Sequence, residues 1–175
     1  MPHANLTETQ RAELTARLEK NPGIILEQLA ETNACSLQEV LDCLPATMRQ
    51  RTEGTRFVEF MQAISAWQTP VTVIVHTADV ILEFTGPLPE GALGHGFYNL
   101  HGSAGLHGHL RHDRCGAIYL IERPFMGKTT VSLNFMNSEG GAMLKLYVGR
   151  DASGTLLQEQ IEALRAFFSA EACAA

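Results

Sequence analysis

The chain has 175 residues and a formal net charge of −6, from 13 Lys and Arg against 19 Asp and Glu. This negative balance argues against nonspecific attraction to nucleic acid or to an anionic membrane. The 45% content of hydrophobic residues is enough to bury a core, which argues against disorder. No apolar run approaches the ~20 residues that a transmembrane helix needs. The polar N-terminus is not typical of a secretory signal.

The first third of the chain, residues 1–68, is predicted to be mainly helical. Thr7 followed by Gln10 has the spacing of a capping box, and Ser36 is a second candidate cap. Apolar residues recur at helical spacing through this region, interrupted by Asn, Pro and Gly. The predicted helices cover residues 6–23, 24–34, 37–44 and 57–68.

The second and third helices with their tight turn resemble a helix-turn-helix unit. The helix that would read DNA carries Glu39 and Asp42 and no Lys or Arg. Neutralising DNA phosphates needs clustered basic side chains. We therefore expect these helices to pack on the main domain, and a DNA-binding regulator is a weak alternative.

After Thr69-Pro70 the sequence changes to short runs of β-forming residues, separated by Gly, Pro, Asn, Ser or Asp. About seven strands are predicted between residues 69 and 152, and their short connections favour antiparallel neighbours. Residues 153–171 return to helical spacing. The expected fold is α+β in a single domain, residues 1–175. It has a helix-turn-helix-like segment, an antiparallel meander sheet and a C-terminal helix.

Four cysteines are scattered along the chain: Cys35, Cys43, Cys115 and Cys173. None of them forms a C-x-x-C pair, so a zinc knuckle has little support. A chain of this size with a good core does not depend on a disulfide framework. Reduced thiols in a cytoplasmic protein are the simplest interpretation.

Residues 99–113, NLHGSAGLHGHLRHD, hold four of the seven histidines. Their two halves are predicted to form a hairpin through GSAG, in which His107 and His109 share one face with Arg111. Two histidines two residues apart can chelate a metal, and a zinc site would then need a third or fourth ligand. The candidates for that role are His95, His101, His112 and Asp113.

The glycines around these histidines favour a different ligand. Gly102, Gly105 and Gly108 leave space where a flat molecule can approach the backbone. Together with leucines and aromatic rings, the histidines suit a large planar cofactor better than a bare ion. His76 adds to this, because it ends an apolar run where an imidazole needs a partner.

Haem fits this set of residues, since His, Met, Cys and Tyr are the usual protein ligands of its iron. Tyr98 and Tyr119 are alternative oxygen ligands beside the histidines. The propionates of haem need cations, and the spacing leaves several strand-end candidates open. These are Arg111, Arg123, Lys128, Lys145 and Arg150.

Four segments closely resemble one known family. They are VIVHTADVILEFTGPLP, GHGFYNLHGSAGLHGHLR, IERPFMGKTTVSLNFMNSEGGAMLKLYVGRD and LLQEQIEAL. The family is HutX/ChuX, cytosolic haem-utilisation carrier proteins of Gram-negative bacteria, and the likeness covers roughly residues 20–168. Members are similar in fold to one half of the larger haem-degrading proteins of the HemS/ChuS type.

The resemblance implies both a site and a function. The haem-binding histidines of the family fall on His76 and His109, and the tyrosine ligand proposed for some members falls on Tyr98. Arg111 and Lys145 complete the predicted haem-binding set. His101 and His107 are not positions where the family requires histidine.

The function implied is that of a cytoplasmic homodimer that binds haem reversibly, as carrier or store. It would pass haem to a downstream haem-accepting or haem-degrading protein, without catalysis of its own. The main alternative is a haem-degrading oxygenase, or a protein that binds the opened tetrapyrrole. A zinc protein built on the histidine hairpin is a further rival.

Overall fold

The computed structural model describes residues 5–102 and 105–172, with side chains as far as Ser169 in the last helix. Cys173 and the Ser103-Ala104 pair of the predicted turn lie outside the described residues. The helices are α1 (Glu8–Lys20), α2 (Leu26–Thr32), α3 (Leu37–Asp42), α4 (Phe57–Ser65) and α5 (Gln158–Ala172). The strands are β1 (Arg49–Glu53), β2 (Pro70–His76), β3 (Ile81–Pro87), β4 (Gly91–Gly94), β5 (Phe97–Leu100), β6 (Gly108–Leu110), β7 (Cys115–Phe125), β8 (Lys128–Asn137) and β9 (Ala142–Tyr147).

The predicted helices are confirmed, and two of them begin at the expected caps. The Thr7 hydroxyl accepts a hydrogen bond from the backbone N–H of Gln10, whose side chain accepts from the Thr7 backbone. Ser36 and Glu39 form a second capping box at the start of α3. These reciprocal bonds satisfy backbone donors that have no partner within the helix.

The α+β class and the antiparallel pairing are confirmed, and the described residues form nine strands in two sheets. The larger sheet has the order β1-β7-β8-β9-β2-β3, and β4-β5-β6 form a smaller one. Two of these strands, β1 and β4, were not predicted. The strand β1 lies inside the segment expected to be mainly helical, and it pairs along β7 with only Thr52 buried. Pairing with β7 outweighs local propensity there.

The strand β7 contributes to two cores because its side chains alternate. Ile118 and Leu120 pack with α4 and α5 on one face. Ala117, Tyr119 and Ile121 pack with α1, α2 and α3 on the other. The N-terminal helices therefore cover one face of the sheet at the β7–β8 end.

The far end of the larger sheet is less covered. The edge strand β3 exposes apolar side chains, with Ile81 at 57% and Leu82 at 63% exposed, and neighbouring Val75 and Val80 are exposed too. None of the helices in the described part of the chain has the length and apolar character needed to cross a bilayer.

Candidate functional site

His76 stands at the end of β2, where a tight turn leads into β3. The Thr77 N–H donates to the Val80 carbonyl at 2.9 Å, and the Thr77 hydroxyl accepts from the Val80 N–H at 3.1 Å. His76 therefore pairs with Ile81 across the turn, and its side chain is 24% exposed. The sequence-predicted turn is confirmed and presents the imidazole at the open end of the sheet.

A carboxylate from α2 connects His76 to the neighbouring strand. The Nδ1 of His76 lies 3.4 Å from Oε1 of Glu27, and Nζ of Lys145 on β9 donates to the same oxygen. Lys145 pairs with Ile74 in the sheet, two residues before His76, so both side chains emerge on one face. Burial lowers the pKa of the Lys145 ammonium to about 8. One carboxylate oxygen of Glu27 thus contacts both Lys145, the predicted cation, and His76, the predicted ligand.

A cavity of about 540 Å³ opens beside this trio, between α2 and the turn after β2. Apolar residues such as Ile25 and Ile81 line it together with Glu27, Glu31 and His76. Its size lies within the range of small-molecule sites, which combine apolar walls with a few placed polar groups.

His109 lies in the smaller sheet, on an exposed face. It pairs with Asn99 across β5 and β6, and its Nδ1 is 2.6 Å from the Asn99 side-chain oxygen Oδ1. The ring of Phe97 meets the imidazole edge to face, with centroids 5.9 Å apart. The predicted β-alternation is observed from Leu106 to Leu110, because the leucines are half-buried and His109 is exposed.

Arg111 follows on the same exposed side, and its guanidinium lies 5.8 Å from the centre of the Phe97 ring. Its Nε and Nη2 donate to the two carboxylate oxygens of Asp113, at 2.9 and 2.8 Å. This pairing raises the pKa of Arg111 and lowers the pKa of Asp113. An incoming anion would therefore compete with Asp113 for Arg111.

The two candidate tyrosines are core residues with no exposed surface. Tyr98 packs edge to face on Phe57, and its hydroxyl has no hydrogen-bond partner within the described residues. Tyr119 donates to Asp42 at 2.8 Å. Burial raises the pKa of both hydroxyls. A bond from Tyr98 to iron would require its side chain to leave the core.

The remaining propionate candidates lie near the β7–β8 turn. Arg123 is buried and donates to the carbonyls of Pro22 and Ile24, so it fixes the loop between α1 and α2. Arg150 donates to two backbone carbonyls. Lys128 is exposed at the start of β8.

The other histidines of the predicted hairpin are spread over turns and loops. His95 lies in the β4–β5 turn with φ +52°, and the exposed His101 and His107 lie between β5 and β6. His112 lies in the turn before β7. Among the residues that the structure describes, no three His, Cys, Asp or Glu side chains are arranged to hold a metal ion. The described hairpin therefore gives no geometric support to a zinc site.

Four of the five predicted site residues thus form two groups, and Tyr98 lies in the core. His76 and Lys145 meet at Glu27 beside the cavity, and His109 lies on the smaller sheet with Arg111 just after β6. Sequence reasoning missed the residues that hold the histidines, Glu27 and Asn99. Their partners depend on helix packing and strand register, which local patterns do not show.

Comparison with known proteins shows the family of the chain. A family model described as haem utilisation ChuX/HutX matches residues 50–167. The chain belongs to this family. It is 30% identical over 160 residues to the intracellular heme transport protein HutX of Vibrio cholerae, covering 91% of this chain and 82% of HutX.

Solved structures agree with this membership. A protein from Erwinia carotovora is 41% identical with a TM-score of 0.85, and the match covers 94% of this chain and 98% of the other. The heme binding protein ChuX is 41% identical with a TM-score of 0.80, over 90% and 97% of the two chains.

The fold also occurs inside a longer chain. The heme degrading enzyme ChuS of Escherichia coli matches with a TM-score of 0.71 at 12% identity, over 91% of this chain and 49% of ChuS. This likeness concerns the fold alone. The chain has the fold of one half of the larger haem proteins, as the resemblance implied.

The buried Lys145 makes the free energy of unfolding of the chain depend on pH. Its pKa is about 8 in the folded chain against an ordinary 10.5, so the unfolded chain binds more protons between these pH values. The free energy of unfolding of the wild type, relative to Lys145→Met, should therefore rise from pH 8 to 10.5, by roughly 2 kcal/mol. Urea unfolding across this interval measures the difference.

The exposed Lys128 supplies the control, since Lys128→Met removes a lysine from the same sheet without removing a buried charge. Wild type and Lys128→Met should keep a constant difference in stability over the interval. A constant difference for Lys145→Met as well would contradict the role given to burial.

Proposed function

We propose that the chain is a haem carrier that binds haem reversibly through His76 or His109 and delivers it to another protein. The observation that carries this proposal is that the Nδ1 of His76 lies at ion-pair distance from the Glu27 Oε1, 3.4 Å, and the Nδ1 of His109 is hydrogen-bonded to the Asn99 Oδ1 at 2.6 Å. Histidines that bind metals commonly donate their other ring nitrogen in this way. Membership of the haem utilisation family supports the same ligand.

The surroundings of both histidines fit a flat, largely apolar molecule with acidic groups. Beside His76 there is an apolar cavity wall with Lys145 nearby. Beside His109 the half-buried Phe97 ring and Arg111 offer a ring contact and a cation. Haem needs this combination, since the porphyrin is apolar and its propionates are anionic.

A carrier must release what it binds, and the exposed position of His109 favours release. His109 is on an open face, and Arg111 can return to Asp113 when an anion leaves. Little of the fold has to rearrange at such a site. The same exposure gives an acceptor protein direct access to the haem.

The role of carrier rather than enzyme is part of the proposal. HutX is named a transport protein, whereas the larger ChuS, named an enzyme, shares only the fold at 12% identity. We place the function inside the cell, because HutX is named an intracellular protein. A haem-accepting or haem-degrading protein downstream would complete the pathway of the cargo.

We further propose that two copies associate through β3. The edge strand presents Ile81 and Leu82 to solvent, and exposed apolar edges mark sites of association. The fold occurs as one half of a chain about twice as long, so a second copy has a structural counterpart there. Because Ile81 also lines the cavity beside His76, a second copy docked on β3 would form part of the wall of that cavity.

The ligand assignment is tested by haem titration followed by absorption spectroscopy. His76→Ala or His109→Ala should weaken binding at least on the order of 10-fold and shift the Soret band, because an iron ligand is lost. His107→Ala, at an exposed histidine two residues before His109, should leave the affinity and the Soret band unchanged. If neither His76→Ala nor His109→Ala changes affinity or spectrum, the ligand assignment is wrong.

The absence of catalysis is tested by supplying a reductant and oxygen to the haem-loaded chain. Catalase is included, since peroxide destroys haem without an enzyme. If the chain is a carrier, its Soret band should decay no faster than the Soret band of haem bound to albumin under the same conditions. Faster bleaching with release of iron and an opened tetrapyrrole would favour the oxygenase.

The dimer is tested by sedimentation at micromolar concentration, where the wild type should have about twice the chain mass. Leu82→Glu should yield a folded monomer, because the side chain is 63% exposed in one chain and a charge there opposes burial against a second copy. Met126→Glu changes an 84% exposed apolar side chain at the β7–β8 turn and should stay dimeric. A monomeric wild type would contradict the association.

A further inference from the structure

Asn99 and His109 face each other across the ladder of the smaller sheet. They are register partners on β5 and β6, and the Nδ1 of His109 lies 2.6 Å from the Oδ1 of Asn99. A distance this short between imidazole and amide means a hydrogen bond. Which atom carries the proton decides what the other ring nitrogen can do.

The orientation of the Asn99 amide is fixed by its other contacts. Its Nδ2 faces the backbone carbonyl oxygens of Ala92 at 3.3 Å, Gly94 at 3.0 Å and Phe97 at 3.4 Å. Rotating the amide by half a turn would set its oxygen against three carbonyl oxygens and lose every one of these bonds. The atom turned towards His109 is therefore the oxygen, which only accepts.

It follows that the Nδ1 of His109 is the donor. A neutral imidazole has one N–H and one lone pair, so the lone pair lies on Nε2. Within the described residues, Nε2 has no hydrogen-bond partner, and the His109 side chain is exposed. The edge-to-face contact with Phe97, at 5.9 Å between centroids, restrains the plane of the ring as well.

We propose that Asn99 is a positioning residue that holds His109 in the Nδ1–H tautomer and keeps Nε2 available for haem iron. This rests on the proposed function, in which His109 is a ligand. Without the Asn99 oxygen, the imidazole exchanges between two tautomers, and the Nε2–H form cannot bind a metal through that atom.

The tautomer is measured without haem, by nitrogen chemical shifts of the imidazole at about pH 9, well above the ordinary pKa of histidine. In the wild type, His109 should be predominantly protonated at Nδ1. Asn99→Ala should change the tautomer ratio by about fivefold towards Nε2–H. His107 is an internal control, because its Nδ1 faces the Gly105 carbonyl at 3.1 Å, which the substitution leaves in place.

Asn99→Asp separates the acceptor from the rest of the amide. Both variants lose the three contacts of Nδ2 with carbonyl oxygens, but aspartate keeps an oxygen where His109 needs one. We expect Asn99→Asp to keep the Nδ1–H tautomer and Asn99→Ala to lose it. If both variants keep the wild-type tautomer, or both lose it, the positioning role is overturned.

Haem affinity then connects the tautomer to function. Asn99→Ala should weaken binding about two- to threefold when His109 is present, because a fivefold change in the tautomer ratio lowers the binding-competent fraction by about that much. It should have no effect in a His109→Ala background, since the ligand it positions is gone. Phe97→Leu should change affinity without changing the tautomer. A weakening by Asn99→Ala that persists without His109 would show a merely structural effect and overturn the role.

The two levels of the proposal fail separately. If His109→Ala alone leaves haem affinity unchanged, His109 is not a ligand, and the positioning role is overturned even though the tautomer measurement still reports the hydrogen bond. If His109→Ala weakens binding and Asn99→Ala does not, the ligand stands and the positioning role falls.

Discussion

The rest of the structure depends on one constraint: β7 and β8 are buried on both faces, so the sheet needs helices on two sides. The chain has α4 and α5 for one face, and α1 to α3 for the other. The second set covers the β7–β8 end and reaches β9 and β2 through Glu27 of α2. The edge strand β3 is left with apolar side chains in solvent. The cavity beside His76 lies where that cover ends.

The same incomplete cover explains why the histidines are placed as they are. An imidazole inside the sheet would lose its hydration without gaining a partner. His76 avoids this at the end of β2, where Glu27 from α2 reaches it, and His109 does so on the outer face of a small sheet, where Asn99 reaches it. In both cases a protein oxygen lies beside one ring nitrogen, with a hydrogen bond at His109, and the side chain keeps access to the outside.

Much of the fold was predictable because its signals are local. The capping residues Thr7 and Ser36, the turn after His76 and the alternation from Leu106 to Leu110 each follow from a few neighbouring residues. The strand β1 was not predictable in this way. Its sequence, RQRTE, has no apolar alternation, and it becomes a strand because the edge of β7 offers hydrogen bonds.

Sequence patterns pointed to the candidate ligands His76 and His109 but not to the residues that contact them. A symmetrical turn at Gly102–Gly105 would have set Tyr98, not Asn99, opposite His109. The observed register is shifted by one residue, so that Asn99 rather than Tyr98 shares a face of the smaller sheet with His109. This shift explains why Tyr98 is directed into the core while Asn99 meets the imidazole. Glu27 was missed for another reason, since its contact with His76 depends on how α2 packs on the sheet.

The partners of the two histidines also differ in a way that matters for a carrier. A carboxylate that accepts from Nδ1 makes the other nitrogen a stronger metal ligand, and a neutral amide does so less. His109 has only the amide of Asn99. His76 has the carboxylate of Glu27, but at 3.4 Å and shared with the Lys145 ammonium, which withdraws charge from it. Neither imidazole receives the full effect of an unshared carboxylate. As iron ligands, imidazoles with such partners would bind haem less tightly than histidines paired with an unshared carboxylate, and a protein that must give haem away needs that balance.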